Sequence, residues 1–355
     1  MDTIHVTLPD GKAVDVRPGS RIAEVVASAG LKKDIIAAKV NGRPVDLQHA
    51  LESDCAVELV SPNSAEGLDI LRHSTAHLMA QAVQNLFPGT QVTIGPTIED
   101  GFYYDFKRDK AFSPEELEQI EKRMQELARA NLTITREEMP RAQAIDLFRK
   151  MGEDYKVEII EGIPDERVSL YRQGDWIDLC RGPHVPSTSA LKAFKLTSLA
   201  GAYWRGDSRN EQLQRIYGTA WANRKDLDAY LKRIEEAKQR DHRRLGPALD
   251  LFSLHPIAPG SPFFHPKGTI IYNILIQFIR SLYDRYGYTE VVTPLIYKTD
   301  LWKTSTLRGL QRRHVSDGCA RRRVRREADE LSGALLSFHD AKVLLSRSSH
   351  SLCRL

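Results

Sequence analysis

The sequence predicts an α+β protein of more than one domain, and three observations carry that reading. Residues 1–62 hold short runs of alternating apolar and polar positions. Strand and helix patterns then interleave as far as Trp221. A charged helical stretch with few large apolar residues, 223–245, separates these from a further apolar helix and strand. At 355 residues the chain is long enough for two or three domains, each with its own core. The composition changes set the expected segments at 1–62, 63–222, 223–247, 248–305 and 306–355.

In the first segment Ile4, Val6 and Leu8 alternate as a strand, Pro9-Asp10-Gly11 turns the chain, and Val14 and Val16 alternate again. Ser20 can cap a helix that runs to about Ala29 and stops at Gly30. Ile35–Val40, an Asn41-Gly42 turn and Ala56–Val60 supply further strands, the outline of a β-grasp module. After a polar linker, Ser61–Gly67, a helix opens near Leu68 and ends at Phe87-Pro88-Gly89. Thr90–Ile94 and the aromatic run Gly101–Phe106 read as strands. Ser113-Pro114-Glu115-Glu116 starts a helix reaching about Asn131, with proline where a missing N–H has no intrahelical partner to lose. Its i,i+4 charge pairs mark an exposed face. Residues 223–245 most simply connect domains. From Ala248 a new domain begins, with an amphipathic helix over 268–285 and a strand over 288–294 that Pro294 ends.

Composition narrows the function classes. A hydrophobic fraction of 41% and 28% charged residues describe an ordinary soluble protein. The greasiest stretch, Ile270–Leu282, is interrupted by Asn273, Gln277 and Arg280, so it is too short and polar to span a bilayer. The start MDTIHVTLPDG lacks the basic and apolar regions of a signal peptide. Cys55, Cys180, Cys319 and Cys353 are widely spaced without a CxxC pair, which favours a reducing, cytoplasmic setting. The net charge of +4 suggests a nucleic-acid partner, but residues 306–355 alone hold 11 of the 51 bases and 5 of the 47 acids. Removing them leaves 40 bases against 42 acids, so RNA binding by the body must use local patches.

The sharpest pattern is His73-Ser74-Thr75-Ala76-His77 on the helix that opens near Leu68. A spacing of four sets the two imidazoles roughly 40° apart on one face. Leu71, Leu78, Ala82 and Leu86 gather on the opposite side of the wheel, while Ala76 and Ala80 beside the histidines leave room for a ligand. Farther on, Asp175–Leu179 alternates like a strand before a turn at Gly182-Pro183, so Cys180 and His184 sit where a strand end can present both to a cleft. His73, His77, Cys180 and His184 are a donor set suited to zinc. They equally suit a metal-free site that holds water and an ester, with imidazole as proton carrier. A pair of buried structural histidines is the plain alternative.

HSTAHLMA, IGP-TIEDGFYYDF, DLCRGPHV and AYWRGDSRNEQLQRIYGTAW occur in that order, and together they resemble the editing domain of bacterial-type threonyl-tRNA synthetases. The N-terminal segment resembles the TGS domain, and Pro262–Gly268 with GYTEVVTPLI resembles motif 1 of the class II catalytic domain, an antiparallel-sheet fold. Alanyl-tRNA synthetase editing domains share the HxxxH…CxxxH pattern, but the TGS-like start and the sequence after residue 245 favour the threonyl family. The resemblance implies post-transfer editing, the hydrolysis of serine wrongly esterified to tRNA(Thr). It makes His73, His77, Cys180 and His184 the editing motif. Lys156 and Asp178 become candidates for holding the terminal ribose, the ammonium of the amino acid or the attacking water, and Tyr104 a pocket wall. Lys156 could otherwise be a solvated surface charge and Asp178 a turn-stabilising carboxylate. The resemblance implies no metal at this site.

In the complete family enzyme, ATP and Mg²⁺ drive threonine transfer to tRNA. A further Zn²⁺ selects threonine, and the helix over 268–285 lies at a homodimer interface. Motif 2, the zinc ligands, motif 3 and the anticodon-binding domain are not recognisable in this sequence. The resemblance ends after Leu301–Ser305, and residues 306–355 contain no Ile, Asn, Pro, Tyr, Trp or Met. That tail is expected to be read out of frame or to lack fixed structure. A basic RNA-binding arm is the competing reading. The expectation is therefore a chain that edits but does not ligate.

Overall fold

The structure is a computed structural model that describes residues 3–31 and 34–292, together with the backbone of Ile296–Lys298 and Val324–Arg326. The chain forms two compact units divided between Glu236 and Ala237.

The first unit opens with a five-stranded sheet in the order Ala13–Val16, Ile4–Thr7, Cys55–Val60, Ala37–Val40, Arg43–Val45. Ile4–Thr7 and Cys55–Val60 run parallel, and the other neighbours are antiparallel. Asn41 and Gly42 take positive φ of 50° and 81°, the geometry that a two-residue hairpin requires. Helix α1, Ile22–Ser28, closes this core through Ile22 and Val25 against Val6, Leu51 and Val57. Ser20 does not cap α1. Its backbone pairs with Leu51 in a short ladder, so the cap moves to Arg21, whose N–H donates to the Glu24 carboxylate at 3.3 Å.

Two more sheets follow. One runs Ala193–Tyr203, Gln212–Trp221, Gly101–Lys107, Gln91–Val92, with Thr97–Ile98 beside the third of these. The other is an antiparallel meander of Ile134–Pro140, Arg167–Gln173 and Trp176–Leu179. Helices α2, Ala65–Leu86, and α3, Pro114–Arg129, pack on the larger sheet; α4, Arg141–Met151, and α5, Asp154–Glu161, accompany the meander. Ser64 caps α2 by accepting the Gly67 N–H, and α3 opens with a reciprocal Ser113–Glu116 pair. The wheel of α2 misled in one respect: the helix is buried on almost every side from Ile70 to Val83. Ala76 and Ala80 lie in the hydrophobic core rather than beside open space, and Leu86 is the exposed one. A helix sandwiched between a sheet and a second helix has no solvent face for the wheel to find.

The stretch 223–245 breaks into two helices, α6, Arg224–Gln239, and α7, His242–Ala248. The break comes at Asp241, whose carboxylate accepts the Arg243 N–H at 2.8 Å. In the second unit a hairpin of Phe252–Leu254 and Pro262–Phe264 precedes α8, Pro266–Tyr286, which Gly287 ends with φ of 73°. The strand expected over 288–294 shrinks in its described part to a single β-bridge at Val291, with Tyr288–Glu290 and Val292 outside any strand. Ile296–Lys298 pairs antiparallel with Val324–Arg326, a short ladder whose second strand falls in the tail expected to be out of frame or without fixed structure. Pro294, Leu301–Ser305, Cys319, Cys353 and the rest of the Arg-rich tail lie outside the described residues. Among those described, no helix is long and apolar enough to cross a membrane.

Candidate active site

Helix α2 carries His73 and His77 into one side of the first unit, with ring centroids 5.1 Å apart. The strand Trp176–Leu179 delivers Cys180 opposite them, and the turn beyond it returns His184. That turn depends on Gly182. Its φ is +72°, and an added Cβ would lie 1.8 Å from the Tyr171 hydroxyl, so only glycine fits. The Gly182–Pro183 bond is cis. One nitrogen or sulfur from each of His73, His77, Cys180 and His184 lies within 4.8 Å of the others. The Cys180 sulfur is 2.9 Å from His73 Nε2 and 3.2 Å from His184 Nε2, and it accepts the Gly182 N–H at 3.3 Å. Ser74 Oγ accepts the Val185 N–H and lies 3.1 Å from His184 Nδ1. The set closes consistently when Ser74 donates to Nδ1, His184 Nε2–H donates to sulfur, and the thiol proton points at His73.

A second group backs the first. Helix α5 brings Lys156, 2% exposed, to 2.5 Å from Asp178 Oδ1 and 3.0 Å from the Tyr104 hydroxyl. Tyr104 donates to Asp178 Oδ2 at 2.6 Å, and Asp178 Oδ1 also accepts the Leu179 N–H at 2.8 Å. Lys156 is thus not a surface charge, and Asp178 both steadies its own turn and pairs with the lysine. His77 Nδ1 sits 3.4 Å from Asp178 Oδ2, too far for a good hydrogen bond. It is the single buried side-chain nitrogen or oxygen without a partner among the described residues. A buried orphan of this kind costs about 1–3 kcal/mol, and such atoms gather at functional sites.

Burial dominates the electrostatics. It holds His73 below the usual imidazole range, and His77 and His184 well below it, with the crowding of the imidazoles adding to the effect on the last two and Lys156 adding further on His77. All three are therefore neutral at pH 7. Burial also pushes the Cys180 thiol up to about 12, so this sulfur is a neutral hydrogen-bonding group rather than a thiolate nucleophile. Tyr104 is raised well above the phenol range by burial and by the Asp178 charge.

The donor types fit zinc, but their spacing is that of a hydrogen-bonded cluster. A nitrogen and a sulfur bound to one tetrahedral zinc at about 2.0 and 2.3 Å stand about 3.5 Å apart. The sulfur contacts of 2.9 and 3.2 Å are closer than that. Next to the cluster lies a cleft of about 770 Å³. His73, His77, Tyr104, Lys156 and Cys180 line it, while Asp178 and His184 stand behind. All seven residues singled out from the sequence therefore meet in one place. Ser74, Tyr171 and Trp176 were not among them. Trp176 sets its ring edge-on to His77 with centroids 5.7 Å apart, and Tyr171 lies 4.3 Å from the His184 ring. Ser74 sits inside the HxxxH run, where its position one residue after His73 could have flagged it; the two aromatics carry no comparable mark.

The family described as "TGS domain" matches residues 4–61, and "Threonyl and Alanyl tRNA synthetase second additional domain" matches residues 168–217. The chain is 55% identical over 303 residues to a protein of Marinobacter nauticus named threonine–tRNA ligase, covering 84% of this chain and 47% of that one. Proteins of the same name from Methylococcus capsulatus and Legionella pneumophila are also 55% identical, over 84% and 85% of this chain and 48% of their own length. The chain spans about half the length of the curated relatives it matches.

Proposed function

Taking as premise that this chain belongs to the threonine–tRNA ligase family, we propose that its cleft hydrolyses serine esterified to tRNA(Thr). One observation carries the reading: two imidazoles from α2 and a thiol and imidazole from a later turn converge within 4.8 Å at the edge of an open cleft. A buried lysine–carboxylate–phenol group lies directly behind.

Ester hydrolysis needs a water deprotonated as it attacks the acyl carbon, a counter-charge for the oxyanion, and a proton for the departing ribose oxygen. A neutral imidazole can take the first proton and return it to the leaving oxygen. His73 and His77 both line the cleft; the unpartnered Nδ1 of His77 is buried on the side of Asp178, so His73 is the better placed of the two to meet the water. Lys156 offsets the oxyanion, held in place by Asp178 and Tyr104. Cys180 and His184 shape the wall. Arg136, Arg167 and Arg181 also line the cleft together with Glu138 and Asp165, and Arg136 pairs with Glu138 at 2.7 Å, a mixed rim whose arginines suit the phosphates of an RNA terminus. The need for such a site is physical. Serine and threonine differ by one methyl, worth only about 1–3 kcal/mol in a synthetic pocket, so a second, tighter pocket must remove serine.

The test is deacylation of seryl-tRNA(Thr). His73→Ala should lose about 10²-fold in rate while the chain stays folded. Deacylation unchanged by that substitution would remove α2 from the chemistry. The donor set within 4.8 Å favours one rival, a zinc-stabilised module without turnover. One equivalent of zinc in the purified chain would establish it over the metal-free reading. A tRNA-binding module without catalysis, or a free-standing hydrolase acting in trans, would be separated by turnover and by tRNA partner.

For the complete relatives we take ATP- and Mg²⁺-dependent charging of tRNA(Thr) with threonine, a Zn²⁺ that selects threonine and a homodimer as the working picture, acting in the cytoplasm. For this chain we expect editing alone, and ATP–pyrophosphate exchange at background.

A further inference from the structure

The turn that carries Cys180 and His184 is held by a residue of the N-terminal sheet segment. Asp46 follows the strand Arg43–Val45, and its own carbonyl accepts the His49 N–H at 3.0 Å in a tight turn. Its side chain leaves that segment and reaches the cleft wall. Oδ1 accepts the backbone N–H of His184 at 2.7 Å, and Oδ2 accepts the Tyr171 hydroxyl at 2.6 Å. Tyr171 in turn packs on the His184 ring and fills the space beside Gly182. One carboxylate therefore binds the His184 end of the turn directly and reaches the Gly182 end through Tyr171, across 138 residues of sequence. Burial raises its pKa even with two donors in place, so the carboxylate sits where desolvation is costly.

We propose that Asp46 is a positioning residue for editing: it fixes the Cys180–His184 turn, and through it the register of the thiol and imidazole against His73, so the N-terminal segment sets the competence of the cleft. The proposal rests on the hydrolytic reading given above. Asp46 touches no reacting atom, and its effect should appear in turnover rather than in tRNA affinity. Without it, the His184 N–H and the Tyr171 hydroxyl lose their acceptor and the turn can shift by a fraction of an ångström, enough to misalign a bound ester.

The test uses the full chain with Asp46→Ala, Asp46→Asn and Tyr171→Phe, read by seryl-tRNA deacylation and by iodoacetamide labelling of Cys180 resolved by peptide mass spectrometry. Asp46→Ala should lower kcat by about tenfold or more with KM within about twofold, and should speed Cys180 labelling by about fivefold. Asp46→Asn keeps an acceptor for the His184 N–H and should stay close to the parent in both readouts. Tyr171→Phe keeps the ring and removes one bond, so about a two- to fivefold loss is expected even if the alanine variant fails to fold. Deacylation by Asp46→Ala within twofold of the parent overturns the proposal. So does a loss without faster Cys180 labelling, or an asparagine variant as impaired as the alanine. If the parent chain itself shows no deacylation, the hydrolytic reading fails, and labelling alone decides whether Asp46 holds the turn.

Discussion

Helices α2 and α8 are nearly equal in length and both rich in apolar residues, yet they end in opposite environments. From Ile70 to Val83 α2 is almost wholly buried, packed on the strands Gly101–Lys107 and Gln212–Trp221 and against α3. In α8 only Gly268 is buried; Ile270, Ile274, Leu275 and Phe278 are each 57–62% exposed. The stripe on α8 has the i,i+4 spacing of a helix meant to be covered, and Pro262–Phe264 is the strand it packs against among the described residues. Helical pattern thus says that a face is apolar. Burial requires a partner surface, and where α2 has one the polar residues inside become chemistry. His73 and His77 are costly to bury, and that cost is what keeps them neutral and close to a cleft.

The largest effect expected from this contrast is catalytic. His73→Ala should remove about 10²-fold or more of seryl-tRNA deacylation at unchanged melting temperature, whereas no substitution on the exposed face of α8 should change it. Activity lost equally from both helices would mean that the rate reports folding instead of chemistry. Next comes packing. Leu78→Ala, in the fully buried stretch of α2, should cost about 3 kcal/mol in urea unfolding. Leu275→Ala, on the exposed face of α8, should stay within about 0.5 kcal/mol. Equal costs would show that α8 is covered in solution.

Association sharpens the same point. If the exposed face of α8 takes a second copy, as proposed for the complete relatives, sedimentation should show mass rising with concentration. Ile274→Glu combined with Phe278→Glu should weaken that association about tenfold or more. A chain that stays monomeric at all concentrations would show that this face does not pair with a second copy.

The smallest effect lies at the start of α3. Arg108 makes two hydrogen bonds to Glu116 and stacks between Phe87 and Phe112, holding the carboxyl down at about 2. The folded value lies below the ordinary 4.5, so the unfolded chain takes up the proton first. The contribution is complete above that value and is lost as pH falls towards about 2. Because the pair is near the surface it amounts to only about 0.5 kcal/mol. Arg108→Met should lower stability by about that amount at neutral pH and flatten this part of an acid titration, the difference from the parent vanishing towards pH 2.

Local chemistry made much of the architecture readable from residues alone. Asn41-Gly42 required a hairpin because both positions need positive φ, and Ser113-Pro114 opened α3 because its cap is satisfied within four residues. Spacing put His73 and His77 on one face, whereas joining the HxxxH run to the CxxxH run rested on their donor types and on the resemblance to a known editing motif, since no local period links residues 107 apart. The cap of α1, the break at Asp241 and the all-round burial of α2 were not readable, since each depends on what lies alongside. Ser20 is taken by pairing with Leu51, and Ala76 and Ala80 are filled against by the sheet. Asp46 is the clearest case. Nothing in its neighbours separates it from any other turn aspartate, and its role exists only because folding carries it to the N–H of His184. Spacing along a chain determines what a segment can become, and the desolvated contacts made between distant segments decide which of its polar groups are put to use.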